Sequence, residues 1–471
     1  EMLEGFSNKG MITVALLFLV SEGIRQSGTL GQVIKKLLPQ GKTTVFKAQL
    51  RILPSVAFIS AFLNNTPVVV IFAPIIKHWA KSVNLPATKF LIPLSYVTIL
   101  GGICTLIGTS TNLVVHGMIL EAGFEGFSMF ELGKVGIFIA IAGIIYIFLF
   151  SKRLLPDARP DTAVPDEEVE EGEKLHRVEA VLGARFPGIN KKLKDFNFQR
   201  HYGAEVKEIK TRNGQRFVTN LDDVVLHEGD TLVVMADDTF IPTWGESSVF
   251  VLLTNGNEPD TTGKKKRWFA LLLLVLMIVG ATVGELPVTK EMFPDIKLDM
   301  FFFVSITTII MAWTNLFPAR KYTKYISWDI LITIACAFAI SKAMVNSGVA
   351  DSVAKFIIGL SDDYGPHVLL AMLFIITNLF TELITNNAAA ALAFPLALSI
   401  ASQLGVSPTP FFVVICMAAS ASFSTPIGYQ TNLIVQGIGN YKFTDFVRIG
   451  LPLNIITFLI SIILIPLIWN F

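Results

Sequence analysis

The chain has 471 residues, of which 52% are hydrophobic and 16% charged, and its formal net charge is +1. Soluble domains carry nearer a quarter charged residues, and the mean hydropathy here is +0.60. That balance excludes a soluble globular domain, gives no footing for nucleic acid, and points to an α-helical polytopic membrane protein. Cys104, Cys336 and Cys416 all sit inside apolar runs, which argues against a disulfide framework, and the six histidines show no metal-ligand spacing.

Apolar segments are expected over about 10–27, 48–80, 88–118, 132–155, 267–286, 299–317, 327–347, 366–404, 409–437 and 447–470. The first is followed by Lys35, Lys36, Lys42 and Lys47. Segment 48–80 carries Asn64, Asn65 and Thr66 at its centre, in "LNNTP". Its arms are each about 15 residues, about 22 Å as helix, too short for a hydrocarbon core of about 30 Å. A re-entrant hairpin with its tip at mid-membrane is therefore expected, with Pro67 in the first turn of the outgoing arm, where its missing N–H costs nothing. Segment 88–118 is interrupted by "GGICTLIGTSTN", which predicts a broken helix.

After residue 155 the character changes. An acidic linker is expected over 156–175, containing "DEEVEEGE". A small soluble α+β insert is expected over 176–254, with strands at "EVKEIKT", "TLVVMAD" and "SVFVLLT" and a polar helix near "NKKLKDF". The basic run "GKKKRW" (263–268) then leads back to apolar sequence.

The second membrane half, 263–471, repeats the first, 1–155. At a shift of 320, Ser7, Ile12, Thr13, Ala15, Phe18, Ser21, Ser27 and Gly28 each meet the same residue type, and "IGTSTNLVVHG" lies on "IGYQTNLIVQG". At 321, Asn65 meets Asn386 and Pro74 meets Pro395. A second hairpin, tipped by Thr385, Asn386 and Asn387, and a second broken helix at "STPIGYQTN" follow. Basic residues cluster after the first span, after the first hairpin and on both sides of the insert, whereas loops 119–131 and 349–365 are acidic or weakly charged. Placing the basic loops in the cytoplasm makes the halves inverted and the insert cytoplasmic. Two spans precede 327–347 and none precedes 10–27, so at least two further spans are expected ahead of this sequence.

Irregular backbone at membrane depth is tolerated only inside protein or against water. Helix N-termini at the tips suit an anion. Unwound carbonyls with Asn and Thr oxygens suit a hard alkali cation. No Lys or Arg lies within either tip or either break, so an anion there depends on bound cations, which is the basis of symport. Glu22 and Lys342 occupy equivalent repeat positions inside spans, as ion-pair members or in transport. Glu382 is expected to brace the second hairpin.

These paired motifs resemble the divalent-anion/sodium symporter family, relatives of the dicarboxylate and sulfate carriers, whose hairpins are tipped by Ser-Asn-Thr. The resemblance implies sodium sites on Asn64, Asn65, Gly108 and Asn112 in one half and on Asn386, Gly428 and Asn432 in the other. It implies substrate contacts from Thr66, Thr109 and Ser110, and from Thr385, Asn387, Tyr429 and Gln430. It further implies a multi-pass homodimer of the cell membrane with no cofactor beyond sodium as coupling ion. Where the family often has proline after the broken-helix glycine, this chain has Thr109-Ser110-Thr111 and Tyr429-Gln430-Thr431, a departure from the dicarboxylate pattern. The insert resembles the C-terminal domain of potassium-conductance regulators (TrkA-C) at "FPGINKKLKDFNFQRHYGAEVKEI" and "HEGDTLVVMA", a fold that would take a cytoplasmic small-molecule regulator. Relatives with such an insert are similar to sulfate permeases and often carry two copies; one is found here.

The leading expectation is a sodium-coupled importer of sulfate or a related divalent oxyanion. The rivals are a sodium/dicarboxylate symporter, an arsenite or sodium/proton antiporter, and a membrane-anchored ligand sensor. Antiport favours a carboxylate at the site, and the tips and breaks contain none; an anchor needs no matched half-sites. No nucleophile–base constellation or metal motif points to an enzyme.

Overall fold

The structure, a computed structural model, describes residues 7, 9–39, 41–157, 175–183, 185–211, 215–237, 240–244, 249–254, 264–284, 286–292, 297–359 and 365–471. Pro156, Asp157 and Leu175 apart, the acidic linker lies outside the described residues.

Helices follow the apolar segments. The first span is Lys9–Gln26, where Glu22 is held in a two-pronged ion pair by Arg25 at 2.6 Å. Segment 48–80 divides into an ingoing arm, Val45–Ser60, and an outgoing arm, Asn65–Ser82. Segment 88–118 breaks into Leu91–Gly102 and Ser110–Glu121. After Gly133–Leu154 and the β-sheet unit come Lys264–Gly284, Met300–Trp313 and Trp328–Asn346. A second pair of arms follows, Gly365–Leu383 and Asn386–Leu404, and then a second broken helix, Thr409–Ser420 and Gln430–Gly439. Phe443–Ile468 ends the chain. Five of the described helices are long and apolar enough to cross a membrane singly, or up to six if the bent stretch from Ala319 to Asn346 counts as one. The protein is thus a mostly helical, polytopic membrane protein.

Two differences from the sequence expectations have clear causes. Residues 349–365, expected as a loop, contain the helix Val349–Gly359. Ala350, Ala354 and Ile357 recur at helical spacing and bury one face. The first half has a counterpart in Thr29–Leu37, which buries Leu30 and Ile34.

The segment 176–254 forms one five-stranded antiparallel sheet: β1 (His176–Leu182), β2 (Glu205–Lys210), β3 (Arg216–Phe217), β4 (Thr231–Ala236) and β5 (Phe250–Thr254). Their order across the sheet is β3-β2-β4-β1-β5. The helix expected near "NKKLKDF" is instead a single 3-10 turn, Leu193–Asp195, followed by the short helix Phe198–Tyr202. Asn197 stops the turn and caps that helix by accepting from Arg200 N–H at 3.0 Å. Phe186, Phe196, Phe198, Tyr202 and Phe250 stack into the core on one face.

This sheet packs directly on the helices. Val181 and Leu252 join the helical core. Gly229, at a turn where φ is +84°, sits against Leu433, and Thr231 meets Gly437. On the other side Lys77, from the outgoing arm, holds both oxygens of Glu179 at 3.0 Å, and Lys210 reaches the same carboxylate at 3.2 Å. Burial by itself would push the Glu179 carboxyl up; Lys77 and Lys210 outweigh it and pull it down to about 2.

Because that carboxyl is depressed when folded, its stabilisation is complete above its ordinary value of 4.5 and is lost as pH falls towards about 2. Lys77→Met should loosen the sheet from the outgoing arm by about 1–3 kcal/mol. Faster hydrogen exchange in β1 at neutral pH would report it, and unchanged protection would show that the pair contributes nothing to docking.

Candidate functional site

Four helices begin in the middle of the molecule, at Asn65, Ser110, Asn386 and Gln430. Each start leaves backbone N–H groups without an intrahelical partner. Side chains cap one of the four: Thr385 accepts from Ala388 N–H at 3.4 Å. The N-caps of the others, Asn64, Thr109 and Tyr429, make no side-chain cap. Three starts thus lack a side-chain cap, and their positive dipole ends lie together, joined through the Tyr429 hydroxyl to Asn65 and Thr109.

The arms and the breaks exchange partners between halves. Gln430–Gly439 packs on the outgoing arm Asn65–Ser82, and Ser110–Glu121 packs on Asn386–Leu404. At the first contact Thr66 Oγ1 donates to Gln430 Oε1 at 3.2 Å, and the Asn65 amide meets the Tyr429 hydroxyl at 2.6 Å. That hydroxyl also bonds Thr109 Oγ1 at 2.9 Å. At the second contact Asn386 Nδ2 donates to Thr111 Oγ1 at 2.6 Å, while Asn387 Oδ1 accepts from Ser110 at 3.2 Å and from Thr111 at 3.3 Å. Thr385 is exposed at the second tip, whereas Asn64 lies half-buried. Asn64 and Ser110 border a cavity of about 10 Å³ with Phe18, Ser21 and Ile107. That is room for about one water.

Asn65 is fully buried, and its amide oxygen faces Ser60 Oγ at 2.8 Å and the carbonyls of Thr98 and Gly108 at 3.0 and 3.2 Å. Turned by 180°, the NH2 would donate to all three and the oxygen would accept from Tyr429. Turned so, Asn65 satisfies Ser60, Thr98, Gly108 and Tyr429 at once and braces the tip against the first break. Asn65 and Gly108 are therefore brought together. Asn386 is directed instead to Thr111 of the opposite half rather than to Gly428.

Asn112 and Asn432 occupy matching roles. Each donates to the carbonyl seven residues back, Thr105 at 2.9 Å and Thr425 at 3.1 Å. Each also reaches ten residues back, to Gly102 at 3.5 Å and Ser422 at 2.8 Å. They close the breaks by serving freed carbonyls. Asn432 Oδ1 accepts from Ser95 at 2.7 Å, while Asn112 Oδ1 has no partner among the described residues.

Sequence reasoning missed Thr105 and Thr425. Their hydroxyls accept from Gly108 N–H at 3.1 Å and Gly428 N–H at 3.3 Å. Thr105 donates to the Ala61 carbonyl and Thr425 to the Glu382 carbonyl, tying each break to its own pair of arms. The signal was present as Thr-x-Ile-Gly in both halves, 105–108 and 425–428. A Cβ on Gly108 would fall 2.5 Å from the Gly102 carbonyl oxygen, and one on Gly428 2.2 Å from that of Thr381. Only glycine permits these approaches.

Gly428→Ala should therefore fold poorly, with Tm lowered by well over the few degrees of a surface change. Tyr429→Phe strands Asn65 and Thr109 and should cost about 1–3 kcal/mol. Thermal unfolding in detergent checks both, and an unshifted Tm for Tyr429→Phe would show that the hydroxyl bridge is idle.

The citrate transporter family matches this chain over residues 1–405 and again over 296–470. An uncharacterized transporter of Synechocystis is 30% identical over 556 residues, covering 100% of this chain and 90% of that protein. Sodium/sulfate cotransporter 2 of Chlamydomonas reinhardtii is 31% identical over 281 residues, 59% of this chain and 31% of its own length. The Na(+)/citrate cotransporter of Rattus norvegicus is 29% identical over 131 residues, 28% of this chain and 23% of its own. A non-enzymatic membrane transporter is what these likenesses and the helices together give, and the chain belongs to the citrate transporter family.

Proposed function

We propose that the protein is a sodium-coupled importer of sulfate or a similar small divalent oxyanion, working by alternating access. The observation that carries this reading is the set of helix starts without a side-chain cap at Asn65, Ser110 and Gln430, beside the neutral oxygens of Ser60, Thr98 and Gly108 that gather around Asn65. Helix N-termini suit a compact anion, neutral oxygens suit sodium, and the predicted site residues include no fixed positive charge to replace the cation. The likeness to a sodium/sulfate cotransporter supports the same substrate class. The halves are taken as inverted repeats, 1–155 and 263–471, with the cluster at mid-membrane. The space beside Asn64 and Ser110 is too small for sulfate, so the tips part from the opposite breaks to admit it. The sheet unit, 176–254, is read as a TrkA-C-like cytoplasmic domain that regulates the transporter in a homodimer.

Citrate is the second reading, favoured by the family's description. Tyr429 and Gln430 count against it. Both are bulky, and both are tied to the opposite half, Tyr429 to Asn65 and Thr109 and Gln430 to Thr66. A long polycarboxylate needs donors at both ends and more room. A site built to hydrogen-bond one shape rejects another whose fit leaves buried groups unpaired.

Uptake of labelled sulfate into proteoliposomes should require a sodium gradient and be inhibited by selenate or thiosulfate, with succinate and citrate at least about tenfold weaker, a difference of about 1.4 kcal/mol. Citrate competing better than sulfate would transfer the assignment to the second reading. Asn65→Ala and Asn386→Ala should each abolish sodium-dependent uptake while the protein still purifies folded; normal sodium dependence in both would remove the proposed cation role of the tips.

A further inference from the structure

A second cavity, of about 410 Å³, opens between the short helix Thr29–Leu37 and the far end of the outgoing arm Asn65–Ser82. It begins at Ile75, ten residues along the arm from Asn65, or about 15 Å. Its size lies within the about 300–1,000 Å³ usual for small-molecule sites. Leu38, Ile75 and Val83 give it apolar walls, while Lys35 and His78, both exposed, bring an ammonium and an imidazole. The Trp79 indole ties the two sides by donating to the Pro39 carbonyl at 2.9 Å. Carbonyls at helix C-termini repel an anion, but here several are already served. The Lys36 carbonyl accepts from Arg51 at 2.9 Å, and that of Trp79 accepts from Val83 N–H at 3.1 Å and Ser82 Oγ at 2.8 Å.

The charge around the cavity has one sign. No acidic residue lines it among the described residues, and the sequence from 23 to 120 contains no Asp or Glu. Lys9–Gln26, Val45–Ser60 and Lys264–Gly284, packed on the same short helix, add one carboxylate, Glu22, which Arg25 already holds. The ingoing arm sets the depth. Phe46, Leu50, Pro54 and Phe58 are exposed at a spacing of four, a stripe that faces hydrocarbon. Lys47 and Arg51, exposed near the start of that arm, mark the headgroup level, and Arg51 is the residue that reaches Lys36.

We propose that this cavity binds an anionic phospholipid of the cytoplasmic leaflet, with its phosphate held by Lys35 and His78 and an acyl chain laid along Leu38, Ile75 and Val83. A free phosphate would answer the charge and leave the apolar walls wet. A neutral lipid would cover the walls and leave the charge unanswered. An anionic lipid does both, and the leaflet that meets basic loops is the one rich in it. The bound lipid bridges the short helix and the outgoing arm, at the end of that arm opposite to Asn65 and Thr66. It therefore adds to the hold between two elements that the Trp79–Pro39 bond already joins. The inference rests on the membrane reading of the chain and not on the transported substrate.

The full chain, stripped of lipid in a neutral detergent at fixed pH and salt, is titrated with phosphatidylglycerol, with phosphatidylcholine of the same chains, and with inorganic phosphate. Thermal unfolding follows the response, and native mass spectrometry reads the lipid retained. Phosphatidylglycerol should stabilise the wild type and stay bound, while phosphatidylcholine and phosphate should do neither. The double change Lys35→Gln with His78→Gln should raise the half-maximal phosphatidylglycerol at least about fivefold. Lys47→Gln, which removes an exposed charge outside the cavity, should leave it within about twofold. Equal responses to the two lipids overturn the proposal, since the headgroup charge is then not read. Stabilisation by phosphate alone overturns it in favour of a soluble anion. A loss in Lys47→Gln as large as in the double variant overturns it in favour of general surface charge. Should the double variant fail to fold, Ser82→Trp fills the cavity from an exposed position without removing a charge, and must abolish lipid retention; a wild-type adduct in it also overturns the site. A normal lipid response in a protein that takes up neither sulfate nor citrate would sink the transport reading and leave this site standing.

Discussion

Everything at the centre of this protein follows from the need to satisfy backbone groups where helices stop short inside an apolar interior. Two breaks and two tips expose carbonyls and N–H groups that water cannot reach freely, and each unpaired group costs free energy. The solution is the same in both halves. An asparagine one turn into the distal helix, Asn112 or Asn432, reaches back to carbonyls seven and ten residues earlier. A threonine, Thr105 or Thr425, bonds the glycine N–H and the tip of its own pair of arms. Once these groups are served, the helix starts beyond them, at Ser110 and Gln430, are left without side-chain caps. The candidate site and the stable break are thus two outcomes of one accounting.

Shared bracing does not make the halves equal. The first tip turns Asn65 inward among carbonyl oxygens, whereas Asn386 crosses to Thr111. Asn432 is held by Ser95, while the Asn112 oxygen has no partner among the described residues. Glu382 gathers Ser424 and Asn454 around one carboxylate where Ala61 offers only a carbonyl. Duplicated elements keep their backbone solution because it is geometrically demanding, and they diverge in the side chains that the solution leaves free.

Much of this was legible in the residues. The tips, the breaks and Gly108 and Gly428 announced themselves because each interrupts an apolar run, and the repeat shift of 320–321 paired them. The bracing threonines were harder to see, since a threonine in apolar sequence is common and its partner lies about 40 residues away, at Ala61 or Glu382. Thr111 was read as part of a break and became the partner of Asn386, because packing between halves decides such contacts and periodicity carries no trace of them. In the sheet unit β2, β4 and β5 were expected, while β1, "HRVEAVL", and the two-residue β3 were passed over. The helix expected at 190–196 failed because charged residues at helical spacing do not outweigh an Asn197 that starts a new helix.

The sheet is fastened to two rods at once. Gly437 lies seven residues along the helix that starts at Gln430, about 11 Å from the site, and Lys77 lies twelve residues along the arm that starts at Asn65, about 18 Å away. The near ends of these rods are the ones joined by Thr66–Gln430 and Asn65–Tyr429. With the far ends gripped by a single rigid sheet, the near ends cannot swing apart unless the seam at Gly229, Thr231 and Glu179 slips or the sheet rides with one rod. In the opening proposed above, an intact seam would add its own contacts to the cost, and a released one would leave the tips to part against their hydrogen bonds alone.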